Sequence, residues 1–224
     1  MNTLFFLALI IIVVGYLIGS FPTAYVIGKI FTRRDIRKLG SGNVGATNAF
    51  RVSGVLPGII TLIVDVGKGC IAVRGGYWIF INSLRIFNIG SLKEITFSLL
   101  LPLFAGLAAI IGHNWPVFLK FKGGKGVAAT LGVCLAIYPT IVLSVILVWL
   151  LVLMLGKYVS LSSVISALTL PLFVWLYSAG RELSSTLQIT YSSILALLIL
   201  WRHKENIKRL IRHQERKFSF SKSG

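Results

Sequence analysis

Apolar residues in this chain come in long unbroken blocks, not in the alternation of a half-buried strand or the one-sided stripe of a soluble helix. The blocks stand near residues 4–30, 54–74, 96–112, 127–138, 140–155, 159–179 and 186–201, with short polar segments between them. A bilayer crossing takes about 20 apolar residues, so these read as membrane helices. The block at 127–138 is the short one. A helix of that length rises only about 18 Å, so it either stops short of the far face or borrows residues from the glycine-rich segment before it. Pro139 leaves 127–155 open to two readings, one long kinked helix or two helices meeting in a tight turn. The first block follows Met1-Asn2-Thr3 without a cation, and its run of about 25 apolar residues exceeds the 7 to 15 of a signal-peptide core, so it should remain as a membrane helix. No internal repeat or separate soluble domain is evident. The expectation is an all-α, polytopic integral membrane protein in which 1–224 form a single domain.

Charge then sets the number and direction of crossings. The net charge of +17 comes from 23 Lys and Arg against six acids, Asp35, Asp65, Glu94, Glu182, Glu205 and Glu215. With seven crossings and the N-terminus outside, the inner segments 29–51, 113–126, 156–158 and 202–224 hold 18 of the 23 cations, leaving Lys68, Arg74, Arg85, Lys93 and Arg181 elsewhere. A six-crossing chain would export Arg202 to Lys222, against the positive-inside bias. Seven transmembrane helices are therefore expected, with the N-terminus outside and the C-terminus cytoplasmic. Cations gathered in short segments suit orientation, anionic headgroups and anionic substrates, not a nucleic-acid face. The outer loop from 75 to 95, with Tyr77 and Trp78, and the indoles of Trp149, Trp175 and Trp201 read as interface anchors. Cys70 and Cys134 lie within apolar stretches and read as small core residues, with neither a disulfide nor a metal site expected.

Two of the inner segments carry phosphate chemistry. Gly40-Ser41-Gly42-Asn43-Val44-Gly45-Ala46-Thr47-Asn48, with Arg51 close behind, is a flexible backbone whose N–H groups can converge on one anion while short polar side chains add donors. The candidate ligands there are Ser41, Gly42, Asn43, Gly45, Thr47 and Asn48. The second segment offers Lys122, Gly123, Gly124, Lys125 and Gly126, preceded by His113 and Asn114. Gly40 to Gly45 formally fits G-x-G-x-x-G, but a membrane helix precedes it where the dinucleotide fingerprint needs a strand. Lys125 is followed by Gly, so the Walker pattern also fails. Ser160, Ser162 and Ser163 open the sixth helix, and His203 and Asn206, three apart, share a helix face after the seventh. Asp65 and Lys68 have the spacing of an intramembrane ion pair and read as structural. His213 and the rest of the basic tail read as solvated or lipid-bound.

In these motifs the chain resembles the acyl-phosphate-dependent glycerol-3-phosphate acyltransferases (PlsY family) of bacterial phospholipid synthesis. The resemblance rests on residues 40–48 with Arg51, on Gly-His-Asn-Trp-Pro-Val-Phe at 112–118 running into Lys-Gly-Gly-Lys-Gly at 122–126, on Ser-Leu-Ser-Ser at 160–163, and on His203-Lys-Glu-Asn206-Ile-Lys-Arg-Leu210. Many relatives carry Pro or Ile at Val44, Arg at Lys204 and Leu at Gly67, and the 75–95 loop is long for the family. The resemblance implies a monomeric, multi-pass enzyme of the bacterial inner membrane with its site facing the cytoplasm, needing no cofactor or metal. Acyl phosphate and glycerol 3-phosphate are its substrates, membrane lipids its surroundings, and lysophosphatidic acid and phosphate its products. By motif position the first loop would hold acyl phosphate, while Arg51, Lys125, Ser163, His203 and Asn206 would engage glycerol phosphate, with Ser160 and Ser162 as adjacent candidates for the serine.

Acyl phosphate is already an activated anhydride, so such a site needs positioning and charge stabilisation and no covalent nucleophile. The hydroxyl proton could go to His203 or to the departing phosphate. A transporter of a phosphorylated metabolite is the alternative, but its charges would sit near the bilayer midplane, often in repeated halves. A lipid-binding scaffold would leave the two glycine segments without a purpose.

Overall fold

Small residues decide where the helices of this chain approach closely. In the computed structural model, which describes residues 2–86, 100–178 and 182–218 (with the side chains of 2–4, 84 and 182–185 not described), two compact units divide the chain, 1–137 and 138–224. In the first unit α1 (Asn2–Ser20) packs along α5 (Leu101–Asn114), and a Cβ added at Gly19 would overlap the Ala109 carbonyl. The helix α4 (Val55–Ile86) packs in the same way on α6 (Val127–Ile137), where Gly132 meets the Val66 carbonyl. Without water to drive apolar helices together inside a bilayer, such backbone-close contacts supply van der Waals packing that larger side chains would prevent. Two short helices, α2 (Thr23–Thr32) and α3 (Ala46–Ser53), pack on α4.

In the second unit α8 (Val159–Ser178) packs against both α7 (Pro139–Gly156) and α9 (Glu182–Arg202), and the short α10 (Lys204–Ile211) contacts α8 and α9. Leu143, Leu147, Leu151, Met154 and Leu155 of α7 are exposed, as expected of a face meant for lipid.

Among the described residues five stretches are long and apolar enough to cross a membrane: Phe5–Thr32, Val55–Ser83, Leu101–Leu119, Pro139–Gly156 and Val159–Ser178. Val127–Ile137 and Thr186–Arg202 are shorter apolar helices. The blocks thus appear where the hydrophobic pattern places them, with two differences, and the alternative left open at Pro139 is decided. The first expected helix, 4–30, is broken between Ser20 and Thr23, because Pro22 has no N–H and its ring obstructs the preceding turn. The second helix does not stop near 74. It continues to Ile86, so residues 75–86 of the expected outer loop are helical, and Ile79 and Phe80 pack on a core of Ala8, Ile11, Leu101 and Ala105. Residues 87–95 of that loop, with Lys93, and also Arg181, lie outside the described residues. At Pro139 the chain forms two helices, with Tyr138 between them in a non-helical conformation.

Candidate active site

The first glycine loop is built by its own side chains. Asp35 caps a 3₁₀ turn at Ile36–Lys38, accepting from Arg37 N at 3.0 Å, and its carboxylate also pairs with the Arg37 guanidinium at 2.7 Å. That hydrogen bond holds the Asp35 carboxyl down at about 2. Gly40 and Gly42 take φ of +61° and +70°, conformations that L side chains adopt at a cost. Buried beneath them, Asn48 accepts from Ser41 N at 2.8 Å and donates to the carbonyls of Ile36 and Leu39, both at 3.1 Å. Asn48 therefore braces the loop from within, where the sequence offers it as a substrate ligand. Asn43 and Thr47 are half-buried, Ser41 and Gly42 are exposed, and Gly45 starts α3. Arg51 lies exposed in the last turn of that helix.

The second loop leaves α5 through a 3₁₀ turn at Val117–Leu119 and folds back so that Gly124 N donates to His113 O at 3.0 Å. A Cβ at Gly124 would collide with His113 Nε2 and lie 2.8 Å from Val44 O, so the two loops touch at Val44 and Gly124. An apolar plug explains this meeting: Leu119 of the second loop shares a buried cluster with Ala24, Ile36, Val44 and Ala49. Lys122 is exposed, Lys125 half-buried, and Gly126, at φ +81°, lies over the fully buried Asn114. Neither amide atom of Asn114 has a hydrogen-bond partner among the described residues.

Below the loops is a buried charge cluster. Asp65 Oδ1 accepts from Lys68 Nζ and Thr23 Oγ1, both at 2.8 Å, and lies 3.7 Å from His113 Nδ1. Lys68 also donates to the Phe21 carbonyl at the Pro22 break. The expected Asp65–Lys68 pair is thus present, within a wider network. Ser20, Val44, Lys68, His113, Gly123 and Gly124 line a small, partly open cleft. Arg51, Lys122 and Lys125 do not line it.

In the second unit His203 caps the start of α10 and is 2% exposed. Its Nδ1 is 2.8 Å from Ile199 O. A carbonyl can only accept, so Nδ1 carries the hydrogen and Nε2 is the acceptor of the neutral ring. Asn206 is also buried, and its amide Nδ2 donates to Glu215 Oε1 at 2.6 Å. The three serines of α8 diverge: Ser160 donates to Glu215 Oε1 at 2.8 Å, Ser162 to Tyr158 O at 2.9 Å and Ser163 to Val159 O at 2.8 Å. Trp149, which the sequence offers as an interface anchor, donates its indole N–H to Ser163 Oγ at 3.3 Å. Sequence reasoning missed Glu215 and the approach of His113 to Asp65. The only available signal for Glu215 was the scarcity of acids in so basic a tail.

A family model described as glycerol-3-phosphate acyltransferase matches residues 9–213. The chain belongs to the glycerol-3-phosphate acyltransferase family. A relative of that name from Prochlorococcus marinus (strain MIT 9312) is 41% identical over 211 residues, covering 94% of this chain and 98% of the relative. Another from Staphylococcus aureus (strain Newman) is 35% identical over 212 residues, covering 95% and 98%. The crystal structure of PlsY (YgiH), an integral membrane glycerol 3-phosphate acyltransferase in its glycerol 3-phosphate form, superposes with a TM-score of 0.76 at 37% identity, covering 95% of this chain and 96% of that one. Its lysophosphatidic acid form gives 0.75 at 36% identity, covering 96% and 97%.

For a member of this acyltransferase family, the residues offer two kinds of recognition. The first unit presents two glycine loops beside a cleft that Lys68 and His113 line, with Arg51, Lys122 and Lys125 on the loops around it, an arrangement that suits an anionic phosphate. The second presents a buried imidazole and a buried carboxamide, which suit a ligand with both hydroxyls and charge.

Proposed function

We propose that this membrane-embedded glycerol-3-phosphate acyltransferase takes its acyl group from acyl phosphate and delivers it to the sn-1 hydroxyl of glycerol 3-phosphate, releasing lysophosphatidic acid and phosphate. The observation that carries the site is the meeting of the two glycine loops at Val44 and Gly124 over a cleft that holds Lys68 and His113. In this reading the glycerol oxygen attacks the acyl carbonyl carbon, the bond from that carbon to the phosphate oxygen breaks, and phosphate leaves with the electron pair. The hydroxyl proton passes to the departing phosphate, whose second pKa near 6 makes it a serviceable base. The donors of the first loop stabilise the oxyanion and the leaving group; a preorganised donor of this kind contributes about 2.7 to 4 kcal/mol.

Arg51, Lys125, Ser163, His203 and Asn206 engage glycerol phosphate in this scheme. Ser163 now gives its proton to Val159 O, so donating to a phosphate requires exchange of that bond. The active residues face the cytoplasm of a bacterial inner membrane, and the chain makes seven crossings as a monomer. Support for seven comes from the two shorter apolar helices beside the five long ones, and from the concentration of cations in the segments that would then lie inside.

Purified protein should release inorganic phosphate from acyl phosphate only when glycerol 3-phosphate is present, in step with lysophosphatidic acid. Counterflow of a phosphorylated metabolite in vesicles with no such turnover would instead favour transport.

A further inference from the structure

The segment after α10 contains a carboxylate that the reaction scheme does not use, yet the chain is shaped to deliver it. His213 adopts φ +56°, and the reversal is closed by Gln214 N donating to Arg209 O at 2.7 Å and His213 N to Leu210 O at 3.0 Å. Farther on, Phe218 N donates to Lys157 O at 2.6 Å and Lys217 Nζ lies 5.8 Å from the centre of the Tyr158 ring. Between these fastenings the Glu215 side chain turns inward and is 9% exposed. Its Oε1 accepts from Ser160 Oγ at 2.8 Å and Asn206 Nδ2 at 2.6 Å, and its Oε2 from Arg209 Nε at 2.7 Å. Ser160 is in the first turn of α8, where the helix dipole also favours an anion.

Burial alone would push the Glu215 carboxyl up, but the hydrogen bonds from Asn206, Arg209 and Ser160, with the Arg209 charge, outweigh it and hold the group below the usual carboxylate range. Glu215 is then ionised at neutral pH and can only accept. An acceptor at this place dictates which way the Asn206 amide lies: Nδ2 faces Glu215, and the carbonyl Oδ1, across the planar amide, is turned from it. A carbonyl recognises a hydroxyl and does not recognise a phosphate oxygen, since both of the latter only accept.

We propose that Glu215 is a positioning residue for acyl transfer: by holding Asn206 Nδ2 and Ser160 Oγ it fixes the Asn206 carbonyl as the group that accepts a hydrogen bond from a glycerol hydroxyl. This rests on the reading that Asn206 engages glycerol 3-phosphate. The role of Ser160 is then to hold Glu215, not to touch substrate.

Steady-state kinetics of the full-length enzyme in detergent, with glycerol 3-phosphate varied at saturating acyl phosphate, test the proposal. Glu215→Ala should lower kcat/KM for glycerol 3-phosphate by about 10- to 100-fold, the scale of a misplaced reacting group. Glu215→Gln keeps an acceptor for Ser160 and Asn206 and gives up the one for Arg209, whose side chain is 44% exposed and can turn to water, so it should stay within about threefold of the parent. In the Asn206→Ala background, Glu215→Ala should add almost nothing, because the group it positions is gone. Fully multiplicative losses in that double variant would mean a merely structural role and overturn the proposal. So would a Glu215→Ala enzyme with a lower KM and stronger inhibition by inorganic phosphate, which would make the carboxylate an occupant of an anion site. Near-parental activity of Glu215→Ala beside an impaired Asn206→Ala would sink the positioning role alone. Near-parental activity of Asn206→Ala would sink the reading beneath it as well. Should Glu215→Ala fail to fold, Asn206→Asp sets two carboxylates against each other, and adding Glu215→Gln, which can donate to the aspartate, should restore at least about tenfold of the lost kcat/KM; no rescue would count against the proposal.

Discussion

His203 is oriented by a backbone carbonyl, 2.8 Å from Nδ1, and that choice of partner bears on its role. A carboxylate in the same place would stabilise the imidazolium that a general base becomes, whereas a neutral carbonyl gives less help. Binding, with the departing phosphate taking the proton, is the role this favours. His203→Gln should then raise the KM for glycerol 3-phosphate and leave kcat within about tenfold. A kcat loss of about 10² at unchanged KM, in enzyme shown to be folded, would make His203 the base. The glycine loops make a second residue-scale prediction. Asn43→Ala and Lys125→Ala should each lower kcat by about 10² to 10³ if they supply preorganised donors. Lys208, whose exposed side chain pairs only loosely with Glu205 at 3.3 Å, serves as the control, and its Ala variant should keep nearly full activity. Equal and small losses at all three would indicate diffuse charge attraction.

At the scale of elements, helix contact and loop shape are separately testable. Gly132→Ala forces a methyl into the Val66 carbonyl of the facing helix, whereas a Cβ at Gly67, on the same α4 as Val66, meets nothing within 4 Å. The first change should destabilise by about 1 to 3 kcal/mol or prevent folding. Gly67→Ala should be neutral or stabilising by up to about 1 kcal/mol, since alanine is the better helix former. Thermal melts in detergent compare the two, and equal melting temperatures would contradict the close packing of α4 on α6. The 3₁₀ turn that opens the first loop carries a pH dependence. Asp35 is depressed to about 2 from 3.8 by Arg37, so its contribution is fully present above 3.8 and fades as pH falls through about 2. Parent and Asp35→Asn proteins should differ in melting temperature at pH 5 and converge near pH 2. A constant difference across that window would exclude the ion pair as its source.

For the whole molecule the open quantity is topology. If the basic segments face the cytoplasm, single cysteines at Ser41 and Gln214, in a background lacking Cys70 and Cys134, should react with an impermeant maleimide only after the cells are opened. Reaction of Gln214→Cys in intact cells would overturn the seven-crossing count. Both native cysteines are free thiols, and the bond that Cys70 makes to Gly132 O at 3.1 Å comes from a weak S–H donor, so their replacement should cost little activity.

Helix class, the positions of the apolar blocks and the family motifs were legible in the sequence because each depends on local spacing: block length against bilayer thickness, glycines among cations, His203 three residues before Asn206. The ends of helices were less legible. Ile79 and Phe80 look like interface residues in sequence, and only the apolar residues of α1 and α5 beside them turn that stretch into a partly buried helix. Pro22 was visible, but what its break accomplishes, an acceptor at Phe21 for a lysine 47 residues away, depends on α4 lying beside it. The contact between the two loops and the reach of Glu215 to Ser160 across 55 residues likewise join positions with no common period or motif. Spacing along a chain encodes which residues share a face of one element. Which faces then meet is decided by packing volume and by the need of each buried donor and acceptor for a partner, and those are satisfied only when the whole chain is folded.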